Sequence, residues 1–96
     1  MADDLSGLIP SSANIRNTLL PVMNRRGIAT NDKDFREVII DIAIREAQGS
    51  AQSLIWACEC KGVKRREADR LVKDGIIMDL MSVINRAENG QLSYGR

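Results

Sequence analysis

Basic residues are concentrated in one short part of this chain, where they could contact phosphate groups or base edges. Residues 61–73 hold six of the fourteen lysines and arginines but only two acidic residues, which gives the segment a net charge of +4. The whole chain carries a net charge of only +1, so any contact with a polyanion is expected to be local. Arginine in such a segment can pair bidentately with guanine, whereas lysine more often meets phosphates.

The layout around this segment is typical of a helix-turn-helix unit. One helix is predicted to end near Gly62, and a second, basic helix is predicted to begin near Lys64. Cys58 is small enough to let the two helices approach, and glycine permits the left-handed conformation of the turn. Two positions depart from the pattern: Lys61 is charged where an apolar residue is usual, and no Ser, Thr, Asp or Asn caps the second helix.

Two interpretations of the second helix remain open. As a recognition helix it would dock on duplex DNA, and the predicted DNA-binding residues are then Lys61, Lys64, Arg65, Arg66, Arg70 and Lys73. Alternatively, the helix simply has a solvated charged face, on which Glu67 pairs with Arg70 and Asp69 pairs with Lys73.

Enzymatic chemistry is not expected. The chain has no histidine, the commonest general base near neutral pH and the commonest metal ligand, and its seven glycines form no phosphate-binding loop. Cys58 and Cys60 would point about 200° apart on a helix, so they cannot easily share a metal ion. We expect Cys58 in the core and Cys60 partly exposed, with no metal, no cofactor and no small-molecule substrate.

The composition predicts an all-α fold. Hydrophobic residues make up 44% of the chain but aromatic residues only 3%, which favours a core of packed helices. The pattern indicates a compact bundle of four to five short helices, with or without a helix-turn-helix. Their predicted extents are Ser11 or Ser12 to about Arg26 with a kink or end at Pro21, Lys33 to Gln48, Ser50 to Lys61, and Lys64 to about Ala87 with an optional break at Gly75.

The second predicted helix is apolar on two sides and must therefore be covered from two sides. The cover can come from the chain's other helices or from a partner, and in a chain this short a homodimer is expected. The predicted partner or dimer interface comprises Phe35, Ile39, Ile40, Ile44 and Trp56. Residues 76–84 offer a further apolar face.

Residues 11–88 are predicted to form a single helical domain between a flexible N-terminus, residues 1–10, and a flexible tail, residues 89–96. No apolar run reaches the roughly 18 residues of a membrane span, and two closely spaced cysteines do not suggest a disulfide scaffold, so we expect a cytoplasmic protein. The leading functional hypothesis is a small DNA-binding transcriptional regulator. The alternative is a helical protein-interaction module, such as an adaptor, a chaperone or an inhibitor of a larger assembly.

Overall fold

The computed structural model describes residues 5–92, which form one short 3-10 turn and three α-helices. The turn is Ser6–Leu8, and the helices are α1, Ser12–Arg26; α2, Lys33–Cys60; and α3, Arg65–Glu88. No strand occurs in this part of the chain, so the predicted all-α class is confirmed. The predicted number of four to five helices is wrong, because the second and third predicted helices form the single helix α2.

α2 continues through Gly49 although a glycine inside a helix costs about 1 kcal/mol relative to alanine. The residues on both sides of it bury the same face: Ala43 and Ala47 precede the glycine, and Ala51 and Ile55 follow it at the same spacing. Burial of this continuous face outweighs the local penalty. α3 passes through Gly75 for the same reason, and α1 passes through the exposed Pro21.

The ends of the helices are set by local side chains and by glycine. The Ser11 hydroxyl accepts a hydrogen bond from the Asn14 amide at 3.1 Å, and Asp32 accepts one from the Phe35 amide at 3.0 Å. Each helix is followed by a glycine with a φ between +67° and +70°, namely Gly27, Gly62 and Gly90. At the end of α2, the Val63 amide donates to the Cys58 carbonyl at 2.9 Å, which completes a Schellman motif.

α2 and α3 form an antiparallel hairpin along most of their length. Near the turn, Ile55 and Cys58 of α2 share a buried cluster with Ala68 and Val72 of α3. At the opposite end, a second cluster joins the first half of α2 and the last turns of α3 to the buried face of α1. Helices of a DNA-binding helix-turn-helix instead cross at roughly 90–120°. The predicted helix-turn-helix is therefore corrected to a long helical hairpin.

The two halves of the hairpin are covered by different segments. α1 covers the half away from the turn through Ile15, Leu19 and Met23. Residues 5–9, within the segment predicted to be flexible, cover the half near the turn, where Leu5 is only 1% exposed. The Leu5 amide also donates to the Glu59 carboxylate at 3.1 Å. Residues 1–4, and residues 93–96 of the predicted tail, lie outside the described part of the chain.

Candidate nucleic-acid interface

Four cationic side chains cluster where α2 ends and α3 begins, at the closed end of the hairpin. We call Lys61, Lys64, Arg65 and Arg66 the basic tip; all four are exposed. The side chains of Lys61, Lys64 and Arg66 make no hydrogen bond or ion pair with another residue of the 5–92 region. Arg65 lies beside the N-terminal segment, where a side chain added at Gly7 would meet its guanidinium at 3.5 Å.

The other two predicted DNA-binding residues are already paired. Arg70 contacts Glu67 at 2.6 Å, and Lys73 contacts Asp69 at 3.0 Å. The hydrogen bond to Glu67 raises the pKa of the Arg70 guanidinium above its ordinary value. These are the two pairs predicted by the charged-face interpretation of α3, and the structure confirms both.

The first turn of α3 has an unfavourable charge for a helix N-terminus. Lys64 is the N-cap residue, and its ammonium group has no acceptor with which to cap the helix. Arg65 and Arg66 follow it, and Glu67 is the one acidic residue of the first turn. A helix N-terminus carries a partial positive charge, so cations are disfavoured there and anions are favoured. The helix end adds to the positive potential of the basic tip, and a bound anion would relieve the repulsion.

Three arginines elsewhere on the described surface form ion pairs between helices. Arg16 contacts Glu37 at 2.5 Å between α1 and α2, and this hydrogen bond lowers the pKa of the Glu37 carboxyl. Two further cross-helix pairs are Arg26 with Glu88 at 3.0 Å and Arg86 with Glu46 at 2.6 Å. The side chains of Lys61, Lys64 and Arg66, in contrast, keep their charges available to a partner.

The residues predicted as a partner interface are separated by the fold. Ile39 and Ile40 are buried in the chain's own core, and Phe35 and Ile44 pack half-buried against the same core. α1 and α3 thus supply the second cover that α2 requires, which leaves Ile39 and Ile40 no surface for a partner. Trp56 alone is exposed, by 68%.

Trp56 lies on the side of α2 that faces away from the core. Its neighbours Ile55 and Cys58 are buried, but a residue one position along a helix is turned by about 100°. Trp56 therefore does not belong to the core, and its predicted place in a partner interface stays a prediction. The phase of the buried face, read through Ala51, Ile55 and Cys58, was the signal that could have placed it outside.

Two further large apolar side chains are exposed on α3, within the 76–84 stretch predicted as an alternative face. Ile77 is 56% exposed and Met78 is 72% exposed, beside the half-buried Met81. The predicted placement of the cysteines is confirmed: Cys58 is buried and Cys60 is exposed. Within residues 5–92, no three His, Cys, Asp or Glu side chains are grouped so that they could hold a metal ion.

No helix in the described region combines the length and apolar character needed to cross a membrane. Comparison of the chain with models of protein families, with curated proteins and with solved structures finds no match. The function is therefore argued from the chemistry of the surface, and the basic tip is the candidate site.

Proposed function

We propose that this protein is a small DNA-binding regulator that holds duplex DNA through the basic tip. The observation that carries the proposal is that the side chains of Lys61, Lys64 and Arg66 are exposed and have no hydrogen-bonding or ionic partner in the described chain. The three cations fall within six residues, next to a helix N-terminus. Such a cluster favours the closely spaced phosphates of a nucleic acid backbone.

The proposed contact is mainly with the phosphate backbone. Arg70 and Lys73 are paired with acidic neighbours, and α3 packs lengthwise on α2, so most of α3 has little capacity to act as a recognition helix. Arg65 and Arg66, at the exposed start of α3, are the side chains best placed to reach a base edge. We therefore expect duplex binding with a modest preference for sequence.

The test removes three positive charges at the tip and, separately, three elsewhere. The tip variant is Lys61→Gln, Lys64→Gln and Arg66→Gln. The control variant, equal in net charge, is Arg25→Gln, Lys33→Gln and Arg45→Gln. All six side chains are exposed, so both variants should fold.

Binding of a mixed-sequence duplex is measured by fluorescence anisotropy at low salt. The tip variant is expected to lose affinity by at least about tenfold, because each lost cation removes a phosphate contact. The control should change affinity much less. Equal losses in the two variants would refute the assignment to the tip, and absence of duplex binding by the unaltered protein would refute the proposed function.

A protein-interaction module is the second candidate, and the exposed Ile77 and Met78 favour it. Adjacent apolar side chains on a helix surface fit a partner helix, and methionine adapts to varied apolar surfaces. The duplex measurement separates the candidates. Absence of duplex binding by the unaltered protein would support the interaction module, with this face of α3 as its candidate binding surface.

A further inference from the structure

A groove with apolar walls runs between α1 and α3. Thr18 of α1 lines it together with Ile77 and Met81 of α3. Farther along both helices, the Arg26 guanidinium donates to the Asn85 side chain at 3.1 Å. The contacts thus advance in the same direction on α1 and α3, so the two helices run parallel along the groove.

The walls of the groove carry apolar surface that the described chain leaves uncovered. Ile77 and Met78 of α3 are exposed. Val22, on the α1 wall, is half-buried. Neighbouring exposed apolar side chains on two helices are typical of a surface that binds a protein.

One unpaired charge lies toward each end of this groove, and the two charges have opposite signs. Arg25 is exposed in the last turn of α1, and Asp74 is exposed on α3. Neither side chain forms a hydrogen bond or an ion pair with another residue of the 5–92 region. Asp74 raises the pKa of Arg70 through space, but the ion pair of Arg70 is with Glu67.

The spacing of these two charges makes the face complementary to itself. Thr18 and Met81 line the groove from opposite walls. Arg25 follows Thr18 by seven residues and Asp74 precedes Met81 by seven, which is two helical turns or about 10.5 Å in each case. A two-fold axis perpendicular to the groove at Thr18 and Met81 sets α1 of one copy over α3 of the other with its direction reversed. Arg25 of each copy then meets Asp74 of the other.

We propose that this face of α1 and α3 binds a second copy of the chain. The two copies are antiparallel, and two ion pairs between Arg25 and Asp74 flank an apolar centre. Met78 lies about one turn from the axis, as Val22 does on the other wall, so each Met78 packs near Val22 of the other copy. This dimer accounts for the exposed apolar face of α3 without a different partner, and it does not rest on duplex binding.

Charge favours the antiparallel arrangement over a parallel one. A parallel pair would place Arg25 near the Arg26 end of the other copy and would leave Asp74 without a cation. The antiparallel arrangement also directs the two basic tips to opposite ends of the dimer. Each tip can therefore contact a duplex by itself, and loss of the dimer through Arg25→Gln would leave the tip unchanged.

The test measures molar mass by sedimentation equilibrium in the absence of DNA. The unaltered protein is expected to be dimeric at high micromolar concentrations. Arg25→Glu and Asp74→Lys each bring like charges together at two places in the dimer, so each should weaken it by at least about tenfold. The double variant restores opposite charges at both places and should recover most of the lost affinity. Such recovery would also exclude misfolding of the single variants as the cause of dissociation.

Matched controls make the same kinds of change away from the groove. Lys33→Glu and Asp34→Lys reverse exposed charges at the start of α2, and Trp56→Ala removes an exposed apolar side chain from the outer side of that helix. All three should leave the dimer intact. Met78→Ala, in contrast, removes apolar surface from both sides of the interface and should weaken the dimer by about tenfold.

Three results would overturn the proposal. They are a monomeric unaltered protein, a double charge exchange that dimerises no better than the single variants, and a control that dissociates the dimer as strongly as Arg25→Glu does. Because these measurements contain no DNA, failure of duplex binding would leave them unchanged, and the two proposals fail separately.

Discussion

At the scale of single residues, the glycines divide into those that the backbone requires and those that it does not. Gly62 has a φ of +67° and ends α2, whereas Gly75 lies inside α3 with ordinary helical backbone and open space around it. A Cβ in the left-handed region costs about 1–2 kcal/mol, but glycine inside a helix is about 1 kcal/mol worse than alanine.

Alanine substitutions at these two glycines should therefore have opposite effects. Gly62→Ala is expected to lower the free energy of unfolding by about 1 kcal/mol through strain at the turn. Gly75→Ala is expected to raise it by up to about 1 kcal/mol. Urea denaturation of the two variants gives both signs directly. A loss of stability at both positions would mean that α3 depends on its glycine and would contradict the account of Gly75.

Local side-chain roles were largely predictable from the sequence at this scale. The cap at the start of α1 and the two ion pairs on α3 depend on residues at most four apart, and the structure has them as predicted. The position of Trp56 was harder to predict. The residues next to it in sequence are apolar, and only the helical spacing of Ala51, Ile55 and Cys58 indicates that Trp56 faces away from the core.

At the scale of elements, the N-terminal segment acts as a cover rather than as a free end. Leu5, Leu8 and Ile9 pack on the cluster near the turn of the hairpin, where α1 does not contribute to the core. The Gln48 side chain also donates to the Pro10 carbonyl at 3.0 Å, which holds the connection to α1. The segment thereby links the start of the chain to the middle and end of α2.

The variant Leu5→Ala should show how much the packing of residues 5–9 contributes to the free energy of unfolding. Replacing a fully buried leucine by alanine costs about 2–5 kcal/mol, and Leu5 is 1% exposed. We expect a loss of at least about 2 kcal/mol in the free energy of unfolding, measured in urea, and a smaller loss for the half-buried Leu8→Ala. Unchanged stability in Leu5→Ala would show that residues 5–9 do not pack on the hairpin in solution.

Helix boundaries at glycine were the weak point of prediction at this scale. A break was predicted after Gln48, because Gly49 and Ser50 are typical of a helix end and start. The glycine penalty is local and visible in the sequence, but the burial that offsets it comes from α3, more than twenty residues further along the chain. The same balance of glycine penalty and burial applies at Gly75, where the sequence was compatible with either a break or a continuous helix and the structure has a continuous helix.

At the scale of the whole molecule, the hairpin makes the protein elongated. Its principal extents are 50 × 25 × 19 Å and its radius of gyration is 14.8 Å, whereas a compact domain of this length would have about 12.5 Å. The all-α class followed from composition. The predicted compact bundle of short helices is not what forms. α2 and α3 are long, and α1 covers only half of the hairpin that they make.

The elongated shape also explains how a nearly neutral protein can present a local charge. The basic tip lies at the closed end of the hairpin, and the cross-helix pairs Arg16 with Glu37 and Arg26 with Glu88 involve α1, which packs on the other half. With a screening length of about 8 Å at physiological salt, charges at the far end contribute little at the tip. A net charge of +1 is therefore compatible with a positive site for DNA.

The most direct test of the central claim is the salt dependence of duplex binding. Three to four phosphate contacts by the tip predict that log K falls with log salt with a slope of about −3. The slope for the variant with Lys61→Gln, Lys64→Gln and Arg66→Gln should then approach zero. The control variant should keep the slope of the unaltered protein. A slope that stays the same after the tip charges are removed would contradict the account.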